Sequence, residues 1–301
     1  MPEPRCTRAD LSLADGARLA LYLHGPHDPE LVLILAHGWQ ATSAIWDKTV
    51  DQLAHPATLV VRYDQRGHGQ STTGTARPSI ALLAHDLKAI IAATAPDDVP
   101  VVLVGHSMGG MAALALAADH PHLIGSKITA AVLVATSSGG LDLAAAHHPP
   151  LTRALGLLRH AAASMCVRAP AAALRLHNLW QPRLSTQPPI DIAAHWFKAL
   201  MRHDVNHRLD VLQHIPVDIL VGECDPTIPP VHSQRLAAQI PTARLRIVPG
   251  GCHRLPTRHA SHVVAAVERS CRHALHRAAS PSSPQASPAR RGSEAVDTPL
   301  V

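Results

Sequence analysis

Within three residues, between Val104 and Met108, the chain switches from a continuous apolar run to a helical pattern. Residues 101–104 (Val, Val, Leu, Val) are apolar and mostly β-branched, the composition of a strand buried on both faces. Residues 108–119 read as a helix. Gly105-His106-Ser107-Met108-Gly109 must make the turn between them. A strand-to-helix turn this sharp leaves no room for bulk on either side, and Gly105 and Gly109 stand where small residues are required. Ser107 then sits at the tip of the turn, at a helix N-terminus whose free N–H groups and dipole favour developing negative charge. Such a place turns an ordinary serine into a candidate nucleophile.

The rest of the chain repeats the alternation. Residues 11–13 and 19–23, separated by Asp15-Gly16, read as an opening hairpin. Strands are expected at 31–36, 58–63, 128–135, 217–221 and 245–248, with helices at 43–53, 80–93, 231–239 and 261–276. A succession of βα units predicts an α/β fold, a mostly parallel sheet with helices on both faces. The alternation stops at residue 137 and resumes at 215. Between lie helix-compatible pieces at 151–165, 171–180 and 192–202, divided by Pro149, Pro150, Pro170, Pro182, Pro188 and Pro189. We read residues 1–136 and 215–277 as two parts of one core, 137–214 as an inserted helical cap over the C-terminal edge of the sheet, and 278–301 as a tail without periodicity, expected to be disordered.

Charge and cysteines exclude several classes. The formal net charge is +5, with basic residues scattered singly and no aromatic platform, so nucleic acid is not an expected partner. The five cysteines, Cys6, Cys166, Cys224, Cys252 and Cys271, form no Cys-x-x-Cys pair and read as reduced thiols of a cytoplasmic protein. The polar N-terminus carries no signal-peptide pattern, and no apolar run approaches the length of about 18 residues that spans a membrane.

A serine hydroxyl is a weak nucleophile, so a base and an orienting carboxylate are needed. Gly222-Glu223-Cys224-Asp225 follows the penultimate strand, and Gly250-Gly251-Cys252-His253 follows the last. His253 is the candidate base among 23 histidines because of its place after that strand. Asp225, Glu223 and Asp142 are the candidate acids. In the order Ser107, Asp225, His253, and with His37-Gly38-Trp39 and the run Tyr63-Asp64-Gln65-Arg66-Gly67-His68-Gly69-Gln70-Ser71, the chain resembles the α/β-hydrolase fold family. The resemblance covers roughly residues 10–136 and 215–277. It implies Ser107 as nucleophile, His253 as base and Asp225 as acid, with backbone N–H groups of Trp39 and Met108 holding an oxyanion. It also implies neither metal nor cofactor. Asp64 and Arg66 are expected to brace the loop beneath the elbow rather than touch substrate.

Other features have plainer readings. Cys224 and Cys252 adjoin the acid and base but are expected to be small buried packing residues. His203 and His207, spaced like ligands on a helical face, lack the intervening Glu of a metal motif, and His147-His148 is weaker still, so no metal is expected. Trp39, His106, Trp180, Trp196 and Phe197 are candidate pocket residues. The three cap aromatics either roof an apolar acyl group or fasten the cap to the core. A serine at this position leaves an esterase or lipase-like enzyme acting on an apolar small-molecule ester as the first expectation. Acyltransferase, lactonase, thioesterase, cofactor-free haloperoxidase-like activity and a non-catalytic binding protein on the same scaffold are the alternatives.

Overall fold

A computed structural model describes residues 6–53, 56–141 and 188–279. The expected cap pieces at 151–165 and 171–180, Trp180, Asp142, His147-His148, Cys166 and the tail from residue 280 lie outside the described residues. Eight strands form one sheet: β1 (Thr7–Ser12), β2 (Arg18–His24), β3 (Leu31–Ala36), β4 (Thr58–Tyr63), β5 (Val101–His106), β6 (Ile128–Val134), β7 (Val217–Gly222) and β8 (Arg244–Val248). Their order is β1-β2-β4-β3-β5-β6-β7-β8, antiparallel at β1–β2 and β2–β4 and parallel from β4 onward. The opening hairpin turns at Asp15-Gly16, where Gly16 takes a φ of 82° and Leu13 N donates to Ala17 O at 2.8 Å.

The helices are α1 (Asp47–Val50), α2 (Ile80–Thr94), α3 (Met108–Asp119), α4 (Ile190–Met201), α5 (Pro230–Gln239), α6 (Leu255–Arg258) and α7 (Ala260–Ala279). The period-2 alternation of side chains divides each central strand between two cores. Val101 and Leu103 of β5 join the cluster that contains α2 and α3, while Val102 and Val104 join the one packed on Val263 and Val267 of α7. Both sheet faces are covered because neither row can remain in water: each buried Val or Leu side chain is stabilised by about 1.5–3 kcal/mol.

Two expectations are corrected. The single helix expected at 43–53 is a 3₁₀ turn, Ser43–Trp46, followed by the one turn of α1. Ser43 N is held by the Asp64 carboxylate at 2.8 Å and Trp46 is fully buried, so tertiary ties rather than helix propensity shape this stretch. Secondly, α4 ends at Met201, which leaves His203 and His207 in the chain beyond it and not on a shared helical face. His203 is buried, its imidazole pushed down to about 4 by that burial, while His207 is exposed.

β8 closes the sheet as an exposed edge, with only Val248 buried. Arg244 and Arg246 alternate there with Leu245 and Ile247, and charge on an edge strand discourages further pairing.

Candidate active site

The turn after β5 is as tight as its composition implies. Ser107 adopts φ 53° and ψ −117°, a backbone state that a non-glycine residue holds only when its surroundings impose it. Ser107 N donates to Val134 O at 2.9 Å, while Ser107 O accepts from Met111 N at 3.0 Å and Thr136 Oγ1 at 2.8 Å. A Cβ on Gly109 would lie 2.3 Å from Ala36 O, and one on Gly105 would lie 2.5 Å from Gly110 Cα. Backbone crossing backbone at these separations explains why both positions are glycine.

The loops after β7 and β8 bring two more groups to the serine. His253 Nε2 lies 3.1 Å from Ser107 Oγ, and His253 Nδ1 lies 2.8 Å from Asp225 Oδ2. A carboxylate only accepts, so Nδ1 carries the ring proton and the Nε2 lone pair faces the serine hydroxyl. The other carboxylate oxygen, Oδ1, accepts from Thr227 N at 2.8 Å and Ile228 N at 3.0 Å. The Asp225 side chain is 0% exposed and that of His253 is 18% exposed. Thus Asp225 is shut from water while His253 keeps an open side. Glu223 points elsewhere, its Oε2 accepting from Gly250 N at 3.0 Å.

The loop after β3 completes the surroundings. A Cβ on Gly38 would approach Ser107 Cβ to 3.0 Å, so Gly38 lies against the serine. Met108 is the first residue of α3, and a first-turn N–H has no acceptor within its helix. His37 Nδ1 donates to Gly38 O at 2.7 Å and Nε2 accepts from Gln65 N at 2.8 Å, which ties this loop to the one after β4. Burial holds the imidazole of His37 down to about 4 and that of His68 down to about 3, so both are neutral braces. Asp64 accepts from Ser43 N at 2.8 Å and from Gln70 N at 2.9 Å. Arg66 makes a two-pronged contact with Asp86, at 2.9 and 2.7 Å, pairs with Asp15 and donates to the carbonyl of Thr73. Both residues hold loop backbone in place.

The expected pocket residues separate into different places. Trp39 and Phe197 pack with ring centroids 5.5 Å apart, and Trp39 Nε1 donates to Ala193 O at 2.9 Å, fastening α4 over the loop after β3. Trp196 is fully buried and packs against His68 at 6.4 Å and against Gly67. His106 is buried behind the serine, with Nε2 at 2.8 Å from His253 O.

The cysteine expectation is corrected as well: Cys224 is exposed and Cys252 half-buried, because the tips of these strand-end loops face outward. Cys271 on α7 is the buried one, its thiol pushed up to about 12 by burial. Among the described residues no group of three or more His, Cys, Asp or Glu side chains is arranged to hold a metal ion, and no helix is long and apolar enough to cross a membrane. Sequence reasoning missed Thr136, which holds the carbonyl of Ser107; only its place just past β6 could have signalled it.

Comparison with known proteins agrees with this architecture. Residues 27–257 match the family described as Serine aminopeptidase, S33. A Variovorax paradoxus protein named "Putative carbamate hydrolase RutD" is 38% identical over 107 residues, which is 35% of this chain and 39% of that protein's length. In three dimensions the chain is similar to a thermophilic esterase from Thermogutta terrifontis, with a TM-score of 0.65 at 21% identity over 89% of this chain and 99% of that one. It is similar also to a structure from a study of carboxylesterases of Nitrososphaera gargenis, with a TM-score of 0.68 at 18% identity over 89% and 99% of the two chains. With a sheet of this order, a serine at the sharp turn after β5 and the family match across most of its length, the chain belongs to the serine aminopeptidase S33 family of α/β-hydrolases.

Proposed function

We propose that the protein hydrolyses carboxylic esters of apolar small molecules through an acyl-enzyme on Ser107. The observation that carries this reading is the unbroken relay from Ser107 Oγ to His253 to Asp225, at 3.1 and 2.8 Å, beginning at a serine in a strained backbone state. Ser107 Oγ attacks the acyl carbonyl as His253 Nε2 takes its proton. Asp225 keeps the imidazole in the required tautomer and stabilises the imidazolium. The carbonyl oxygen, now an oxyanion, is received by the N–H groups of Met108 and Trp39, and the loss of one such donor costs about 10²- to 10³-fold in rate. His253 returns the proton to the departing alcohol. Water, deprotonated by the same imidazole, then attacks the acyl carbon, and as the acyl–oxygen bond breaks the imidazolium returns that proton to Ser107 Oγ and the acid departs.

The Trp39–Phe197 pair supports the apolar character of the substrate, since it sets two aromatic rings beside the loop that receives the oxyanion. In this reading α4, fastened to Trp39, lies over the serine as part of a cap.

The test is labelling with a small fluorophosphonate together with a series of nitrophenyl esters of increasing acyl length, including a lactone and a carbamate ester for comparison. The expected result is ester turnover and stoichiometric labelling that both vanish in Ser107→Ala. Absence of labelling and of all turnover in the folded parent protein would sink the proposal.

A further inference from the structure

His106, the residue immediately before Ser107, is buried, and its Nε2 lies 2.8 Å from the backbone carbonyl oxygen of His253. A carbonyl oxygen only accepts, so Nε2 carries the ring proton and Nδ1 is bare. The two imidazoles stand 4.9 Å apart between centroids, tilted by 49°. Gly38 closes the opposite side, where a Cβ would come within 2.9 Å of His106 Nδ1. The ring is therefore wedged between the loop after β3 and the loop after β8, with its one N–H aimed at the latter.

That loop has few ties of its own. It passes through Gly250, at φ 61°, and Gly251; ahead of His253 its backbone is held by Gly250 N to Glu223 Oε2 at 3.0 Å, Gly251 N to Val248 O at 3.0 Å and Cys224 N to Gly251 O at 2.8 Å, and after it Arg254 O accepts from Thr257 N at 3.2 Å and Arg258 N at 2.9 Å. The first three precede Cys252 and the last two belong to the turn that begins α6, so none of them reaches the peptide groups of His253. Among the hydrogen bonds of the described residues, the one from His106 is what holds the backbone of His253.

We infer that His106 is a positioning residue: by donating Nε2–H to the carbonyl of His253, it ties the base's loop to the residue covalently joined to the nucleophile and so fixes the Ser107 to His253 separation. The inference rests on reading Ser107 and His253 as nucleophile and base. Its logic is geometric. Ser107 and His253 are 146 residues apart in the chain, and any drift of the last loop opens the 3.1 Å contact between them directly. A bond from the adjacent side chain closes that path over the shortest possible frame. Burial, with the neighbouring His253, holds the His106 imidazole down to about 3, so the donor tautomer persists and no second positive charge stands beside the base.

The test compares His106→Leu, which has no donor, His106→Asn, whose amide is too short to reach, and His106→Gln, whose amide nitrogen can occupy the place of Nε2. A core variant, Val102→Ala, serves as a control for lost stability, since Val102 is fully buried and on the face of the sheet packed on α7. Misplacing reacting groups by on the order of 1 Å costs about 10²-fold, so the Leu and Asn variants are expected to lose roughly 10- to 100-fold in kcat and in fluorophosphonate labelling rate, with KM nearly unchanged. Glutamine is expected to restore most of that loss, and the control is expected to lose melting temperature without a matching loss of kcat. If the Leu variant does not fold, the Asn and Gln pair decides the matter. Leu or Asn variants as fast as the parent, or a Gln variant no faster than Asn, would overturn the inference. A parent protein that is never labelled would instead overturn the serine reading beneath it, and the inference with it.

Discussion

Replacing Asp225 by Asn separates the chemistry of the acid from its architecture. Oδ1 accepts two backbone N–H groups, from Thr227 and Ile228, so the introduced amide must place its oxygen there. Its NH₂ group is then forced into the place of Oδ2, facing His253 Nδ1 at 2.8 Å. Two donors cannot share that contact. His253 must therefore move its proton to Nε2, which leaves no lone pair for the Ser107 hydroxyl at 3.1 Å. A wrong tautomer of this kind lowers kcat on the order of 10⁴-fold, which is about 5.4 kcal/mol of barrier at 1.36 kcal/mol per tenfold. Folding is affected far less, because both backbone bonds survive and the charge-assisted hydrogen bond to His253 is exchanged for a neutral one from the amide, a difference of about 1 kcal/mol. Asp225→Ala, by contrast, also strands the two buried N–H groups and is expected to be the less stable variant. The assay is kcat on a short nitrophenyl ester beside a urea unfolding curve for each protein. An Asn variant that stays folded and keeps kcat within tenfold of the parent would refute the reasoning.

Two further perturbations probe the scaffold. Asp86→Ala leaves the guanidinium of Arg66 buried with only Asp15 and the carbonyl of Thr73, and breaking a buried pair costs about 3–5 kcal/mol, or roughly 6–20 °C in melting temperature. A loss below about 1 kcal/mol in urea unfolding would show that Arg66 is not the brace described. The buried imidazoles set a pH dependence. His68 and His106 are held down to about 3 and His203 to about 4, chiefly by burial, so the folded protein keeps them neutral while the unfolded chain binds protons near the ordinary value of 6.5. Stability from these groups is whole above that value and declines as pH falls below it, by up to about 1.4 kcal/mol per pH unit for each histidine. Unfolding free energy is expected to drop between about pH 7.5 and about pH 5.5, and a flat profile would contradict their burial in the neutral form.

How much of this was legible beforehand depended on the range of the cause. The Asp15-Gly16 turn, the strand at β5, the helix over Met108–Asp119 and the need for glycine at 105 and 109 are written in adjacent residues, because periodicity and steric demand act over a few positions. The order of the strand-end loops was readable too, since a parallel sheet brings its C-terminal edges together whatever fills the space between. Side-chain direction was not readable. The motif after β7 singled out Asp225, which meets His253, but nothing local shows that Glu223 turns back to Gly250 N or that Cys224 lies exposed.

By itself, then, the sequence determined the βα order, the sharp turn that presents Ser107, and which loops carry its partners. Tertiary structure alone decided that Glu223 turns back to Gly250 N, that Trp196 is core while Trp39 and Phe197 pack together, and that His106 reaches the backbone of His253. The physical reason is that a hydrogen bond needs an angle and a distance within a few tenths of an ångström. Between residues 146 or 147 positions apart, those are set by the packing of the whole sheet and not by any neighbour in the chain.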